Sequence, residues 1–437
     1  MKYYVNTYGC QMNVHESEKL AGILEKKGFS EAEVMSDADI IVYNTCCIRE
    51  SAETKVHGHL GIVKKLKESK PELIVCVCGC MAQKAGEAER LRKRCPFINL
   101  IFGTHNVHKF DEYLDEVISG KKKIEVWEKE EAICENVPIK RSGSVNAWVN
   151  IMYGCNNFCS YCIVPYVRGR ERSRNQELIL DDIKRLVDEG YKEITLLGQN
   201  VNSYGNDFGA GHEHFASLLE KASKIDGKFK IRFMTSHPKD LSEEVVKVIA
   251  SSDKLAKFIH LPIQAGSDRI LALMNRRYTQ KQYLDKIDMI RKYIPEVGLS
   301  SDIMVGFPTE TEEDFLETVK VVKEVGFNNL YTFIYSRRSG TPADKMEQVD
   351  QKIKHRRIKD LIDVQFELGC KLAGDCLGKT YEVLCDSFEN GKASGKSTCE
   401  KAISWKSDEN QVGQFVNVTV TKTKNNQLIG EILKEKN

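Results

Sequence analysis

From the N-terminus, short apolar runs alternate with segments whose apolar residues recur every three or four positions. The first kind predicts strands and the second helices. Lys2–Thr7, Ile40–Asn44, Leu73–Cys78 and Asn99–Phe102 read as strands. Between them, His15–Lys27 reads as a helix, with Leu20, Ile23 and Leu24 on one face and Gly28 as its stop. Further helical patterns run from about Glu50 to Ser69 and over Ala82–Lys93. This order predicts a parallel sheet covered on both faces, in a first domain of residues 1–120. The charged, irregular stretch 121–144 reads as a linker.

The alternation then resumes with longer units. Ala147–Met152, Glu193–Leu197, Lys230–Thr235, Phe258–Leu261, Leu299–Val305 and Leu330–Ile334 read as strands. Ile179–Asp188, Leu241–Ser251, Lys281–Tyr293 and Glu312–Val325 read as helices. Six such units predict a partial (β/α)6 barrel, with its chemistry at the carboxyl ends of the strands. Polar and glycine-rich clusters fall there: Gly198-Gln199-Asn200-Val201-Asn202, Ser236-His237-Pro238, Gln264-Ala265-Gly266-Ser267, Gly306-Phe307-Pro308 and 336–342. A basic helix over Gln351–Lys371 closes this central domain, 145–371. Short strands follow at Lys379–Cys385, Ile403–Ser407, Phe415–Thr423 and Gln427–Ile432. They predict a small, mildly basic β-barrel in residues 372–437. The fold class is therefore α/β, with a parallel N-terminal domain, a partial barrel and a C-terminal β-barrel.

Length and charge narrow this picture. A chain of 437 residues calls for two to three domains. A net charge of only +2 confines any nucleic-acid footprint to a local patch. Neither a signal peptide nor a membrane span is evident, so a cytoplasmic protein with no membrane partner is expected. In that compartment fifteen cysteines point to metal or catalytic roles rather than disulfides.

Six cysteines stand out. Cys155, Cys159 and Cys162 lie within eight residues in a C-x3-C-x2-C loop. Three thiolates are too few for a closed zinc site, which takes four ligands. They suit a [4Fe–4S] cluster whose fourth iron stays open to a substrate or cofactor. Cys10, Cys46 and Cys80 each fall just past the carboxyl end of a predicted strand, where loops of a parallel sheet converge. They make a second three-thiolate site. Cys76 and Cys78 share one face of a strand and read as core, whereas Cys80 lies beyond Gly79, where the chain can turn. Cys46 holds the same post-strand position as Cys10 and is preferred to Cys47. Arg168, Arg170, Arg172 and Arg174 follow the loop at every second position. In extended chain that spacing puts all four guanidinia on one side, suited to phosphate or carboxylate.

The cysteine loop resembles the signature of radical S-adenosylmethionine enzymes. With Thr7–Asn13, Asn44-Thr45-Cys46, Gly79–Gln83, Gly198–Gly205, Thr235–Pro238 and Met274-Asn275-Arg276, the chain resembles the methylthiotransferase family over nearly its whole length. The resemblance is strongest to the branch that acts on dimethylallyl-adenosine in tRNA. It implies that Cys155, Cys159 and Cys162 hold a radical cluster that binds S-adenosylmethionine. Tyr161 would lie near the adenine, and Gly198 and Gln199 near the methionine amino group. Cys10, Cys46 and Cys80 would hold an auxiliary [4Fe–4S] cluster that carries the sulfur to be inserted. The C-terminal barrel would be a TRAM domain gripping tRNA. Cys47 stands where the family pattern has serine.

The implied reaction is methylthiolation of carbon 2 of N6-dimethylallyl-adenosine beside the anticodon, using two molecules of S-adenosylmethionine. That carbon has no acidic hydrogen, so its activation calls for a radical, which cofactors supply. An anticodon loop presents a splayed-out base of the kind proteins reach. The partners implied are the tRNA anticodon loop, an electron donor and a sulfur source. Two other substrates use the same chemistry: threonylcarbamoyl-adenosine in tRNA and an aspartate of a ribosomal protein. A reading of a different class is a non-catalytic RNA-binding protein stapled by zinc.

Overall fold

The computed structural model describes residues 1–47, 50–129, 133–209 and 214–433, with the backbone alone at 50–54. The chain divides into two units. The first comprises residues 1–142, 152–158 and 162–174, and the second residues 143–151, 159–161 and 175–437.

The first unit is built on a parallel sheet. Its strands are β1 (Lys2–Thr7), β2 (Ser30–Glu31), β3 (Ile40–Thr45), β4 (Ile74–Gly79), β5 (Leu100–Phe102) and β6 (Lys123–Glu125), in the order β2-β1-β3-β4-β5-β6. β3 and β4 are buried at every position, as their unbroken apolar runs require. Helices α1 (Gln11–Lys26), α2 (Glu50–Ser69), α3 (Cys80–Gln83), α4 (Glu87–Arg94) and α5 (Phe110–Ile118) cover the sheet. Alternate strand residues feed two cores. Leu20 and Leu24 pack with Tyr3, Val42, Cys76, Cys78, Phe110 and Leu114. Ile41, Tyr43, Val75 and Val77 pack with Val56, Leu60, Met81 and Leu91. Two differences from the sequence reading stand out. The stretch expected as an irregular linker contributes β6, which pairs with β5. The single helix expected over Ala82–Lys93 is two, parted at Lys84–Gly86.

The second unit carries six parallel strands: β7 (Asn146–Asn150), then, beyond two short strands and a helix described below, β10 (Glu193–Leu197), β11 (Lys230–Phe233), β12 (Phe258–His260), β13 (Gly298–Val305) and β14 (Asn329–Ile334). They form two sheets, β7-β10-β11 and β12-β13-β14, and Ile231 bridges Leu255 just before β12. Helices α7 (Gln176–Asp188), α8 (Phe215–Ser223), α9 (Glu243–Ser251), α10 (Asp268–Leu273), α11 (Gln280–Tyr293) and α12 (Glu312–Val325) connect them, in the order of an incomplete (β/α) barrel. α11 and α12 open on capping boxes at Thr279 and Thr311. In the first unit, β8 (Met152–Tyr153) and β9 (Arg172–Ser173) pair antiparallel, and α6 (Val164–Arg168) lies between them in sequence.

α13 (Gln351–Gly374) leads to a closed barrel of β15 (Thr380–Glu389), β16 (Lys392–Ser397), β17 (Ala402–Lys406), β18 (Phe415–Lys424) and β19 (Gln427–Ile432). β16 escapes the sequence reading because Lys392-Ala-Ser-Gly-Lys-Ser397 carries one large-free, mostly polar pattern, yet it pairs with both β15 and β17. Among the described residues, no helix is long and apolar enough to cross a membrane.

Arg232 of β11 fastens this barrel to the parallel strands. Its buried guanidinium pairs with Glu193 of β10 and, at 2.6 Å, with Glu400, and it donates to Ser397 O at 2.9 Å. Arg232→Met would leave buried Glu193 without its cation, while Glu400 would keep only Lys396 at 2.5 Å. Breaking a buried pair from one side costs about 3–5 kcal/mol, so the denaturant midpoint of the second unit should fall measurably. An unchanged midpoint would show that the pair does not hold the barrel.

Candidate metal centres

The first centre is built at the carboxyl ends of β1, β3 and β4. Cys10 caps α1, Cys46 follows β3, and Cys80 opens α3 directly after β4. Parallel pairing of β1 with β3 and of β3 with β4 sets the three strand ends side by side. A Cβ placed on Gly9 would stand 2.7 Å from Cys46 Cβ, so Cys46 lies directly over the turn that carries Cys10. Gly79 holds φ +93°, the turn that brings Cys80 off the strand. Cys47 instead joins the apolar core with Val56 and Leu60. Cys76 and Cys78 point into the opposite core, as their alternation predicts.

Asn13 ties these turns together. Its Nδ2 donates to Tyr8 O at 2.8 Å and to Thr45 O at 3.0 Å, joining the loops after β1 and β3. Asn44 Nδ2 returns a bond to Asn13 O at 2.8 Å. Thr45 Oγ1 donates to Cys78 O and brings in the β4 end. Arg168 Nη2 donates to Asn13 Oδ1 at 2.7 Å, and its charge acts on the Cys80 thiol through space. Burial works against the charge of Arg168, but Cys80, Cys10 and Glu16 together hold its pKa above the ordinary arginine range. Burial pushes the Cys80 thiol up, and Arg168 opposes that shift.

The expectation that the four arginines share one side does not hold. Arg168 ends a helical turn, not an extended run, and is buried, whereas Arg170 is exposed. Arg170 stacks over Phe158 at 4.4 Å, and Arg174 pairs with Glu135, Nε to Oε1 at 2.9 Å. The period changes at α6, so Arg168 is buried while Arg170 is exposed.

The cysteine loop leaves β8 and returns as β9. In the first unit, Cys155 N donates to Gly169 O at 3.1 Å, and Asn157 Nδ2 donates to Cys155 Sγ at 3.5 Å. Cys162 is half-buried at the start of the segment whose Ile163 and Val167 pack beside Cys80 and Met81. In the second unit, Ser160 fixes its part of the loop by bonds to Leu273 O and Met274 O, at 2.7 and 3.0 Å. Cys159 is buried, and its Sγ accepts from Arg276 Nη1 at 3.4 Å. Arg276 also donates to Pro262 O and to Tyr278 OH, both at 2.8 Å. Tyr161 is half-buried and acts on Arg276 through space.

Gly198 and Gln199 lie just past β10, and Gly198 O accepts from Thr235 Oγ1 at 2.6 Å. Asn200 Nδ2 donates to Asp240 Oδ2 at 2.7 Å, which joins the loops after β10 and β11. His237 Nδ1 accepts from Lys239 N at 3.2 Å, so its proton sits on Nε2, which has no partner among the described residues. Its ring meets Tyr278 edge-on, and burial next to Arg276 pushes its pKa down to about 2.

Among the described residues, no three His, Cys, Asp or Glu side chains converge on one ion. An iron–sulfur cluster makes no such demand, because each thiolate binds its own iron. The turns after β1, β3 and β4, which carry Cys10, Cys46 and Cys80, offer thiols of the kind that group takes.

The chain matches the radical SAM superfamily over residues 149–322 and the uncharacterized protein family UPF0004 over residues 2–103. A tRNA-2-methylthio-N(6)-dimethylallyladenosine synthase of Clostridium botulinum is 51% identical over 438 residues, covering 98% of this chain and 96% of the relative. The chain belongs to the tRNA-2-methylthio-N(6)-dimethylallyladenosine synthase family. Relatives of that name from Clostridium beijerinckii and Acetivibrio thermocellus are 50% and 48% identical, each over 99% of this chain and over 96% and 91% of the relative. A radical S-adenosylmethionine methyltransferase from Kitasatospora setae, solved with cobalamin and a [4Fe–4S] cluster bound, shares the fold. Its TM-score is 0.58 at 12% identity, covering 90% of this chain and 80% of that one.

Within this synthase family member, two groups carried no role in the sequence reading. Asn13 and Arg276 lie inside the stretches that mark the family, yet only their side-chain partners show what they do. The one available signal for Asn13 is its place in the first helical turn after Cys10, within reach of strand-end carbonyls.

His237 leads to a pH prediction. Its folded pKa lies below the unfolded value of about 6.5, so below that pH the unfolded chain takes up a proton that the folded chain refuses. Stability is therefore lost as pH falls from about 6.5 toward 2. At pH 5 the loss is about 2 kcal/mol relative to neutral pH. Denaturant titrations at pH 7.5 and 5 should show a smaller acid loss in His237→Gln than in the parent. Equal losses would mean that His237 is protonated in the folded state.

Proposed function

We propose that this chain is a tRNA-2-methylthio-N6-dimethylallyladenosine synthase, which inserts a methylthio group at carbon 2 of dimethylallyl-adenosine beside the anticodon. The observation that carries the reading is the 51% identity to a synthase of that name over 98% of the chain, which embraces both cysteine triads and the C-terminal barrel. Cys155, Cys159 and Cys162 hold the cluster that binds S-adenosylmethionine, with Tyr161, Gly198 and Gln199 beside the cofactor. Cys10, Cys46 and Cys80 hold the auxiliary cluster. When bound, the two clusters supply the electron that cleaves S-adenosylmethionine and the sulfur that is transferred.

The residues of the chain do the positioning. Asn13, Asn44 and Thr45 keep the three strand-end turns at fixed separation. Arg276 and Ser160 fix the middle of the cysteine loop. Cys46 rather than Cys47 belongs to the triad, because Cys46 lies over the Cys10 turn and Cys47 faces the core. The C-terminal barrel, a TRAM domain in this reading, grips the tRNA, and Arg232 keeps it fixed to the strands of the catalytic barrel. An electron donor and a sulfur source complete the system, and a tRNA substrate places the work in the cytoplasm.

Anaerobically purified protein should carry about eight irons, as two four-iron clusters. Zinc in place of iron would favour an RNA-binding module without catalysis. Cys10→Ala should leave reductive cleavage of S-adenosylmethionine intact and abolish methylthiolation, whereas Cys159→Ala should abolish both. Methylthiolated product from the Cys10 variant would remove the auxiliary role. Reconstituted enzyme should modify tRNA bearing dimethylallyl-adenosine. Product only on threonylcarbamoyl-adenosine tRNA or on a ribosomal protein would overturn the substrate assignment.

A further inference from the structure

Five arginines of the described chain are buried: Arg168, Arg174, Arg232, Arg276 and Arg357. Three of them face carboxylates. Arg174 has Glu135, Arg232 has Glu193 and Glu400, and Arg357 has Glu310. The other two, Arg168 and Arg276, have no carboxylate within ion-pair distance among the described residues. Arg276 instead donates to Cys159 Sγ, and Arg168 to the Asn13 amide that ties the Cys10 and Cys46 turns, with the Cys80 thiol acting on it through space.

Arg168 shows the imbalance most plainly. Its partners are Asn13 Oδ1 at 2.7 Å and Met12 Sδ at 3.8 Å, both neutral. Glu16 acts on it through space, and Glu16 is bonded to Lys19 at 3.0 Å. A small cavity of about 30 Å³ lies against Arg168, Gly79, Cys78 and Glu16. Burying a guanidinium costs several kcal/mol unless an anion stands beside it. Thiols do not provide that anion, but a thiolate-bound iron–sulfur cluster does. Such clusters take their potential from net charge and from hydrogen bonds to sulfur.

We propose that Arg168 is a positioning residue for the auxiliary cluster: its guanidinium is the counter-charge on the Cys10–Cys80 side and raises the cluster's reduction potential. This rests on the assignment of Cys10, Cys46 and Cys80 as ligands. A cation beside the cluster favours the state with one electron more, so removing the cation lowers the potential. The arginine run behind the cysteine loop thereby serves the other cysteine triad. Ile163 and Val167 hold α6 against the core beside Cys80, which fixes where that guanidinium lands.

The test uses the full chain with Cys155, Cys159 and Cys162 all changed to alanine, so that only the auxiliary cluster forms. It is reconstituted anaerobically with iron and sulfide and titrated with a chemical reductant under electron paramagnetic resonance. Arg168→Gln is expected to shift the midpoint to lower potential. Arg168→Lys keeps the cation and is expected to stay close to the parent, as is Arg185→Gln on the exposed face of α7. If Arg168→Gln binds no cluster while Arg168→Lys does, the counter-charge role stands in its strongest form. A parent-like midpoint in Arg168→Gln, or failure of both variants to load, overturns the proposal. A parent chain that binds no four-iron cluster overturns the ligand assignment itself, which separates the two failures.

Discussion

One buried amide, that of Asn13, joins the parts on which the first centre depends. It donates to Tyr8 O and Thr45 O and accepts from Arg168. Backbone carbonyls at strand ends have lost their ladder partners, and buried ones must find others. Here the partner that satisfies two of them also sets the spacing of two cysteine-bearing turns. Asn44 and Thr45 extend the same bonding to α1 and to the end of β4. The separation of Cys10, Cys46 and Cys80 is thus a consequence of hydrogen bonding in the turns, on top of the parallel register of β1, β3 and β4.

Charge follows a second rule. Where a buried arginine has a structural task, it meets a carboxylate: Arg232 holds the C-terminal barrel and Arg357 holds α13 over Glu310. Where it stands by a candidate cluster cysteine, it meets sulfur and neutral oxygens. A buried cation without an anion is costly. In the proposed reading, the thiolate-bound clusters would supply that anion at both cysteine triads.

The catalytic reading draws on both units, each for a different requirement. The first supplies three thiols on rigid turns between two apolar cores. The second supplies parallel strands with polar loops at their carboxyl ends, together with a closed barrel. Its loops after β10 and β11 are joined by the Asn200–Asp240 and Thr235–Gly198 bonds. Kinship with the synthase family accounts for the presence of all these parts in one chain.

Period and spacing along the chain determined most of the architecture. Continuous apolar runs such as Ile40–Tyr43 predict fully buried parallel strands, and the observed β3 is buried throughout. The C-x3-C-x2-C loop and the three post-strand cysteines were legible because their positions are local properties of sequence. Local pattern failed where partners lie far away. β16 has little apolar content and exists because β15 and β17 flank it. The arginine run suggested a common face, but α6 changes the period, and contacts with Met12 and Asn13, far away in sequence, decide where Arg168 goes. Cys46 and Cys47 are indistinguishable in composition. Packing distinguishes them, since Cys46 lies over Gly9 whereas Cys47 joins the core with Val56 and Leu60. The sequence by itself determined which elements form and which residues can do chemistry. Only the tertiary structure decided which of them meet, because the hydrogen bonds and buried charges that bring them together join residues far apart in the chain.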